Sequence, residues 1–234
     1  MTASFVYQPP QAPLDILYQD KDLLVVNKPS GILTNPGRGE HLADSLLSRV
    51  QQAYPSALLV HRLDLSTSGI VVFALRRKAE RELKRQFAER LVKKRYLAIV
   101  AGNLAQAEGI ITLPLLADPL HPPKQQVHPE GKAAETVYKV LADDIAGRLQ
   151  TDFACSLVEL KPVTGRSHQL RVHMAALGHP LLGDAFYAPE SIFNAAPRLL
   201  LHAAELTLLQ PYSQQPLTFT ADTDFNLSTG VRYR

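Results

Sequence analysis

A nine-residue polar break, His61-Arg62-Leu63-Asp64-Leu65-Ser66-Thr67-Ser68-Gly69, separates two short apolar runs, Ala57–Val60 and Ile70–Ala74. Apolar runs this short, bounded by polar turn residues, read as buried strands rather than helices. The break therefore sits at a strand end, and it holds an Arg and an Asp two residues apart. A charged pair at such a place is costly unless it has a partner or a task. As neighbours on an extended segment, Arg62 and Asp64 share a side and could simply pair. As a functional group, Asp64 could be a nucleophile or a base toward a sugar carbon.

The rest of the 234-residue chain alternates strands with a few helices. Residues 1–13 are rich in Pro and Gln and read as an irregular arm. Ile16–Asn27 reads as two strands around a polar turn, and His41–Tyr54 has helical spacing. Lys78–Arg90 reads as a helix with Ala79, Leu83 and Phe87 on one face. Arg95–Ala101 is a strand with Tyr96, Ala98 and Val100 on one face and Arg95, Leu97 and Ile99 on the other. Ile110–Leu115, Glu135–Leu141 and Phe153–Leu160 are further strands, with a Pro-rich polar loop over Asp118–Lys132. Lys161–His168 is a turn into a helix whose inner face is Leu170, His173, Met174 and Leu177, stopped by Gly178. Arg198–Leu209 and Leu217–Thr220 close the sheet. The pattern is α+β with a largely antiparallel sheet, and residues 14–234 read as a single domain.

Several classes are excluded. No apolar stretch approaches the roughly eighteen residues of a membrane span. The one cysteine, Cys155, rules out an internal disulfide and a multi-cysteine zinc site; it reads as a buried, inert thiol, and the cytosol is the default compartment. His168 and His173 are five apart, fit one helical face poorly, lack a third ligand, and read as helix-surface or core-edge residues. There is no Gly-rich phosphate loop and no Gly-x-Ser-x-Gly elbow; Ser66 and Ser68 read as loop-tying hydroxyls. No second acid stands in a comparable polar break, as a hydrolytic glycosidase would require.

Charge points toward a polyanion. Arg76–Arg95 holds ten Lys/Arg and three Glu, 10 − 3 = +7, which leaves 3 − 7 = −4 for the remainder. One segment thus concentrates the basic charge, as on a surface facing phosphates; a solvated helix face is the plainer alternative. Tyr96 follows Lys93, Lys94 and Arg95, an aromatic beside cations that suits a stacked base; it reads equally well as a core tyrosine. Arg166, at a turn into a helix, could meet a carboxylate from another strand end or could be an exposed arginine.

These residues closely resemble the RluA-type pseudouridine synthases. The resemblance runs from Ile16 to Phe225. It is carried by Val26-Asn-Lys-Pro-Ser-Gly31, His61-Arg-Leu-Asp-x-x-Thr-Ser-Gly69, Lys94-x-Tyr-x-Ala98, Thr164-Gly-Arg-x-His-Gln-Leu-Arg-Val-His173, Leu181-Leu-Gly-Asp184 and Leu200-Leu-His-Ala203. It implies the pseudouridine synthase fold, a mixed, mostly antiparallel sheet in two halves with a central RNA-binding cleft. It implies breakage of the N1–C1′ bond of an RNA uridine, rotation of the base and rejoining through C5, with no cofactor and no metal. Asp64 would be the essential residue, by covalent addition or through a glycal. Tyr96 would stack on the base. Arg166 would pair with Asp64, keep it ionised and aim it. Arg62 would fill the space left by the flipped base, and Leu201 would pack near that base. Lys93, Lys94 and Arg95 would meet the RNA.

Many relatives carry an N-terminal S4-type domain. Here only about fifteen residues precede the first strand, so no S4 domain is expected. The resemblance then favours the subfamily that modifies both a 23S rRNA hairpin loop and the tRNA anticodon loop, acting as a monomer with no protein partner. A tRNA-only synthase of the same family is the nearer alternative. A non-catalytic RNA-binding or folding-assistant protein is an alternative of another class.

Overall fold

The computed structural model describes residues 6–149, 151–223 and 225. The chain divides into two compact units, one formed by residues 1–92 and 207–221, the other by 93–206 and 222–234. Residues 226–234, the end of the expected single domain, lie outside the described residues.

In the first unit, Leu23–Lys28 is the middle strand of an antiparallel trio with Asp15–Gln19 and Ser68–Ala74. Leu23 to Val26 and Val71 to Ala74 are fully buried, as strands covered on both faces must be. The register sets Lys28 opposite Gly69. The short strand Leu58–Leu59 pairs with Ser68–Ala74, so both apolar runs flanking the polar break join one sheet.

Helix Arg77–Ala88 packs on that sheet through Ala79 and Leu83, with Phe87 stacked on His61 at 4.6 Å. Its buried Gln86 imitates a strand. The side-chain amide donates to Leu209 O (2.8 Å) and accepts from Leu209 N (2.9 Å). The helix expected from His41 begins later. Glu40–Leu42 is one 3-10 turn, and Leu46–Ala53 starts at a reciprocal cap between Ser45 and Ser48, which satisfies otherwise open backbone donors. Residues 6–14 have no regular structure, but Tyr7 anchors them: its hydroxyl donates to Asp44 O and accepts from Leu33 N.

In the second unit, strand Lys93–Ala101 pairs with Cys155–Pro162, which pairs with Thr136–Ala142, which pairs with Glu108–Ile111, all antiparallel. Strand Leu201–Leu209 lies on the other side of Lys93–Ala101. Helix Gln169–Ala176 packs over the sheet, and its Leu170 and Met174 enter a core with Ala98, Val100, Val158, Leu160 and Leu201.

Three expectations change here. Ile110–Leu115 is not one strand: Pro114 has no N–H for a ladder, so pairing stops at Ile111 and restarts at Leu115. The Asp118–Lys132 loop contains a strand, Gln125–Val127, which pairs with Leu115–Ala117. Helix Gln169–Ala176 is buried from Gln169 through Met174, whereas Leu177 is exposed. Cys155 is fully buried and burial pushes its thiol pKa up, which suits an inert role. Among the described residues no helix is long and apolar enough to cross a membrane.

Candidate active site

The polar break of the first unit is held from below by the chain that follows strand Leu23–Lys28. Lys28 is fully buried, and its ammonium donates to the carbonyls of Pro29 (3.0 Å), Ile32 (2.8 Å) and Leu65 (3.0 Å). Gly31 N also donates to Leu65 O, at 2.9 Å. The Thr34 hydroxyl donates to Leu63 O at 2.7 Å and accepts from Leu63 N at 3.2 Å. Ser30 Oγ donates to Ser66 O at 2.7 Å. His61 Nε2 accepts from Val72 N at 2.9 Å. Main-chain groups before and after Asp64 are therefore fixed by buried polar side chains, while Asp64 itself is half-buried.

Arg62 is exposed and makes no ion pair with Asp64. That removes the simple reading of a local Arg62–Asp64 pair.

The second unit carries Tyr96, Arg166, Leu201 and the cations before Tyr96. Strand alternation is as expected: Tyr96 lies opposite Leu160 on the face of Ala98, and packs against the core cluster that contains Leu201. Arg95 lies on the other face, its Nε 2.6 Å from Glu159, which also takes Lys161. Lys93 is exposed, and Lys94 is half-buried beside Gly165.

Arg166 sits on a turn fixed by a buried polar chain. Glu135 N donates to Thr164 Oγ1 (2.9 Å), and Thr164 Oγ1 donates to Gln169 Oε1 (2.7 Å), which also accepts from Arg166 N (3.0 Å). Gln169 Nε2 donates to Glu135 O and to Thr136 Oγ1, each at 2.9 Å. Thr136 Oγ1 lies 2.9 Å from His173 Nδ1, and His173 Nε2 lies 2.9 Å from Leu113 O. A carbonyl only accepts, so Nε2 carries the proton and Nδ1 accepts from Thr136. His173 is fully buried rather than at a helix surface or core edge, and burial, partly offset by the Leu113 bond, holds its pKa below the usual imidazole value. The exposed Arg166 donates from Nε to Ala133 O at 3.1 Å, and its two terminal nitrogens have no partner among the described residues.

The Leu181–Asp184 motif has a packing role. Asp184 takes Arg171 at 2.8 and 2.6 Å, and accepts from Phe186 N and Tyr187 N. Tyr187 OH lies 2.6 Å from His168 Nδ1 and accepts from Gln125 N, which ties the Leu115–Val127 hairpin to the helix start.

The basic segment is partly neutralised. Glu80 pairs with Arg77 and Lys84, and Arg85 pairs with Glu82 and Glu89. Arg81, Arg90, Lys93 and Lys94 keep no ionic partner among the described residues. No cluster of three or more potential metal ligands occurs among the described residues.

Sequence reasoning singled out neither Lys28, Ser30 and Thr34 nor Thr164, Gln169 and His173 as site-forming. Five of the six lie inside motifs that carry the resemblance. The usable signal was a lysine ending a strand that opens with four apolar residues, Leu23–Val26.

Residues 22–176 match the family described as RNA pseudouridylate synthase. The chain is 54% identical over 223 residues to the "Dual-specificity RNA pseudouridine synthase RluA" of Escherichia coli (strain K12), covering 94% of this chain and 98% of that protein. It is 50% identical to the protein of the same description from Haemophilus influenzae, with the same coverage of both. Among solved structures, Human RNA Pseudouridylate Synthase Domain Containing 1 superposes with a TM-score of 0.77 at 30% identity, over 97% of this chain and 89% of that one.

Proposed function

Because the chain belongs to the RNA pseudouridylate synthase family, and is therefore an RNA-uridine isomerase, we propose that it modifies one hairpin-loop uridine of 23S rRNA and one anticodon-loop uridine of tRNA. The dual specificity named for its bacterial relatives supports this choice of substrates. A compact chain that reads a short stem-loop by shape suits two unrelated RNAs with similar loops. We place the reaction in the cytoplasm, with the protein acting as a monomer.

The observation that carries the reading is the clamp on Leu63, Leu65 and Ser66, which fixes the backbone on both sides of Asp64. Asp64 acts on the glycosidic carbon or base as a nucleophile, or removes the 2′ proton to give a glycal; a primary isotope effect from deuterium at C2′ marks the second route. In either route the N1–C1′ bond breaks, the uracil turns, and C5 bonds to C1′; the C5 hydrogen departs as a proton while N1 takes one up, so the nucleotide mass is unchanged. The uridine must first leave the stack. Arg62 occupies the vacated space, Tyr96 stacks on the uracil and receives the C5 proton, and Leu201 packs near the base. Arg166 pairs with Asp64 through its terminal nitrogens and aims it. Lys93 and Lys94 face RNA phosphates, whereas Arg95 is held by Glu159 on the other face of the strand.

Tritium release from stem-loop RNA labelled at uridine C5 tests the activity. Asp64→Asn should abolish release and leave RNA binding within a few-fold of wild type; wild-type turnover in that variant would refute the assignment. Mapping pseudouridine in total rRNA and tRNA, with and without the protein, tests the substrates. Modification of tRNA alone would make the enzyme tRNA-only, and no release from any stem-loop would favour a non-catalytic RNA-binding protein.

A further inference from the structure

Three consecutive cations precede Tyr96, and strand alternation sorts them. Arg95 points to the face of Leu97 and Ile99 and is committed to Glu159. Lys93 is exposed at the strand start. Lys94 shares the face of Tyr96, two residues and roughly 7 Å along the strand.

The Lys94 ammonium lies against the turn that bears Arg166: a methyl group built on Gly165 would stand 3.8 Å from Nζ. Lys94 is half-buried, yet it makes no hydrogen bond or ion pair among the described residues. Its pKa is lowered, burial being the sole cause, with no nearby charge to offset it. An ordinary surface lysine buries its stem and keeps its head in water. Here the head itself is desolvated, which costs stability without a counter-charge. By contrast Lys28, buried more deeply, is surrounded by carbonyls.

We propose that Lys94 binds a phosphodiester of the target nucleotide, taking a non-bridging oxygen while Tyr96 stacks on the uracil of that nucleotide. This rests on the proposed base-stacking role of Tyr96. The occupant is a phosphate rather than a uracil carbonyl, because only an anion neutralises the buried charge, and phosphate is the anion that RNA supplies. The Thr164–Arg166 turn then borders the phosphate, which couples grip on the RNA backbone to the placement of Arg166.

The test compares wild type, Lys94→Gln and Lys94→Arg on stem-loop RNA, with affinity measured across a salt series and tritium release followed in parallel. Lys94→Gln should weaken binding about tenfold, as expected for one charge-assisted hydrogen bond. It should lower the slope of log K against log salt by about one. Lys94→Arg should keep most of both, and the melting temperature of Lys94→Gln should not fall. Arg95→Gln, which removes a cation already paired with Glu159, should change the slope less.

A neutral methylphosphonate placed in turn at each phosphate flanking the target uridine gives a readout that needs no variant. One placement should weaken wild-type binding and leave Lys94→Gln indifferent. An unchanged slope in Lys94→Gln overturns the proposal, as does a wild type insensitive to both placements. If wild type releases no tritium, the functional reading fails and takes this inference with it. If wild type turns over while the slope is unchanged, only this inference fails.

Discussion

Lys28→Met asks how much of the Asp64 loop depends on one buried ammonium. Methionine keeps a long unbranched stem in a site with no exposed surface, but it donates nothing. Three hydrogen bonds disappear, at 3.0, 2.8 and 3.0 Å. The Leu65 carbonyl keeps Gly31 N, so the main losses fall on Pro29 and Ile32. A stranded buried carbonyl costs about 1–3 kcal/mol, giving roughly 2–6 kcal/mol for two. The cost of burying the ammonium is recovered in the variant and reduces this. The net expectation is about 2–4 kcal/mol, or on the order of 10 °C in melting temperature for a chain of this size. Activity should fall further than stability, because Leu65 adjoins Asp64 and a displacement near 1 Å can cost about a hundredfold in rate. Thermal melts and tritium release at saturating RNA measure both effects. A variant that melts within about 2 °C of wild type and turns over at a similar rate would show that the ammonium does not position the loop.

Arg166→Lys should lower turnover by about two orders of magnitude with little change in RNA affinity, because lysine cannot bond Ala133 O and a carboxylate with one planar group; near-normal turnover at saturating RNA would count against the pairing role. Gly183→Ala should destabilise the protein by about 3 kcal/mol, since the new Cβ would lie 1.9 Å from Arg198 O and φ is +73°; an unchanged urea midpoint would contradict this. Folded His173 has a lowered pKa, so between that value and the unfolded value near 6.5 the unfolded chain binds a proton that the folded chain refuses. The stability it contributes is complete above the unfolded pKa and is lost as pH falls, at no more than about 1.4 kcal/mol per pH unit. His173→Gln retains an acceptor for Thr136 and a donor for Leu113, and should remove that part of the slope below about pH 6.5; urea midpoints from pH 5 to 7.5 that run parallel in the two proteins would exclude His173 as its source.

The strand-end position of the break that carries Asp64 was legible because a polar break between two apolar runs is visible in one dimension. So was the division of Tyr96 from Arg95, because strand period two is a local property. Helix Arg77–Ala88 showed its inner face for the same reason. Contacts made across large sequence separations were hidden. Lys28 looks like a charge at a strand end, and only the fold brings Leu65 O, 37 residues away, to its ammonium. Thr34 and Leu63 are 29 residues apart, and His173 meets the carbonyl of Leu113 across 60. The helix expected at His41 failed for a smaller reason: apolar spacing does not mark the cap, and Ser45 with Ser48 sets the start. The hairpin over Leu115–Val127 was obscured by prolines and glutamines; Tyr187, 62 residues on, receives the Gln125 N–H and helps to hold it.

The clamps in both units hold the main chain rather than the side chains assigned to the chemistry. Lys28, Ser30 and Thr34 bond backbone groups of Leu65, Ser66 and Leu63, on both sides of Asp64. Gln169 takes the backbone N–H of Arg166 and leaves its guanidinium to other partners. A group that must meet a flipped nucleotide needs a fixed Cα and a side chain still open to the ligand, which backbone-directed bonds provide. Two classes of variant should therefore behave differently. Substitutions in the clamps at Lys28, Thr34 or Gln169 should lower turnover at saturating RNA and leave both affinity and its salt slope close to wild type. Substitutions at phosphate-facing cations such as Lys94 should change affinity and its slope first. A clamp variant that loses RNA affinity while keeping its maximal rate would break this division, and would mean that the clamped backbone itself forms part of the RNA-binding surface.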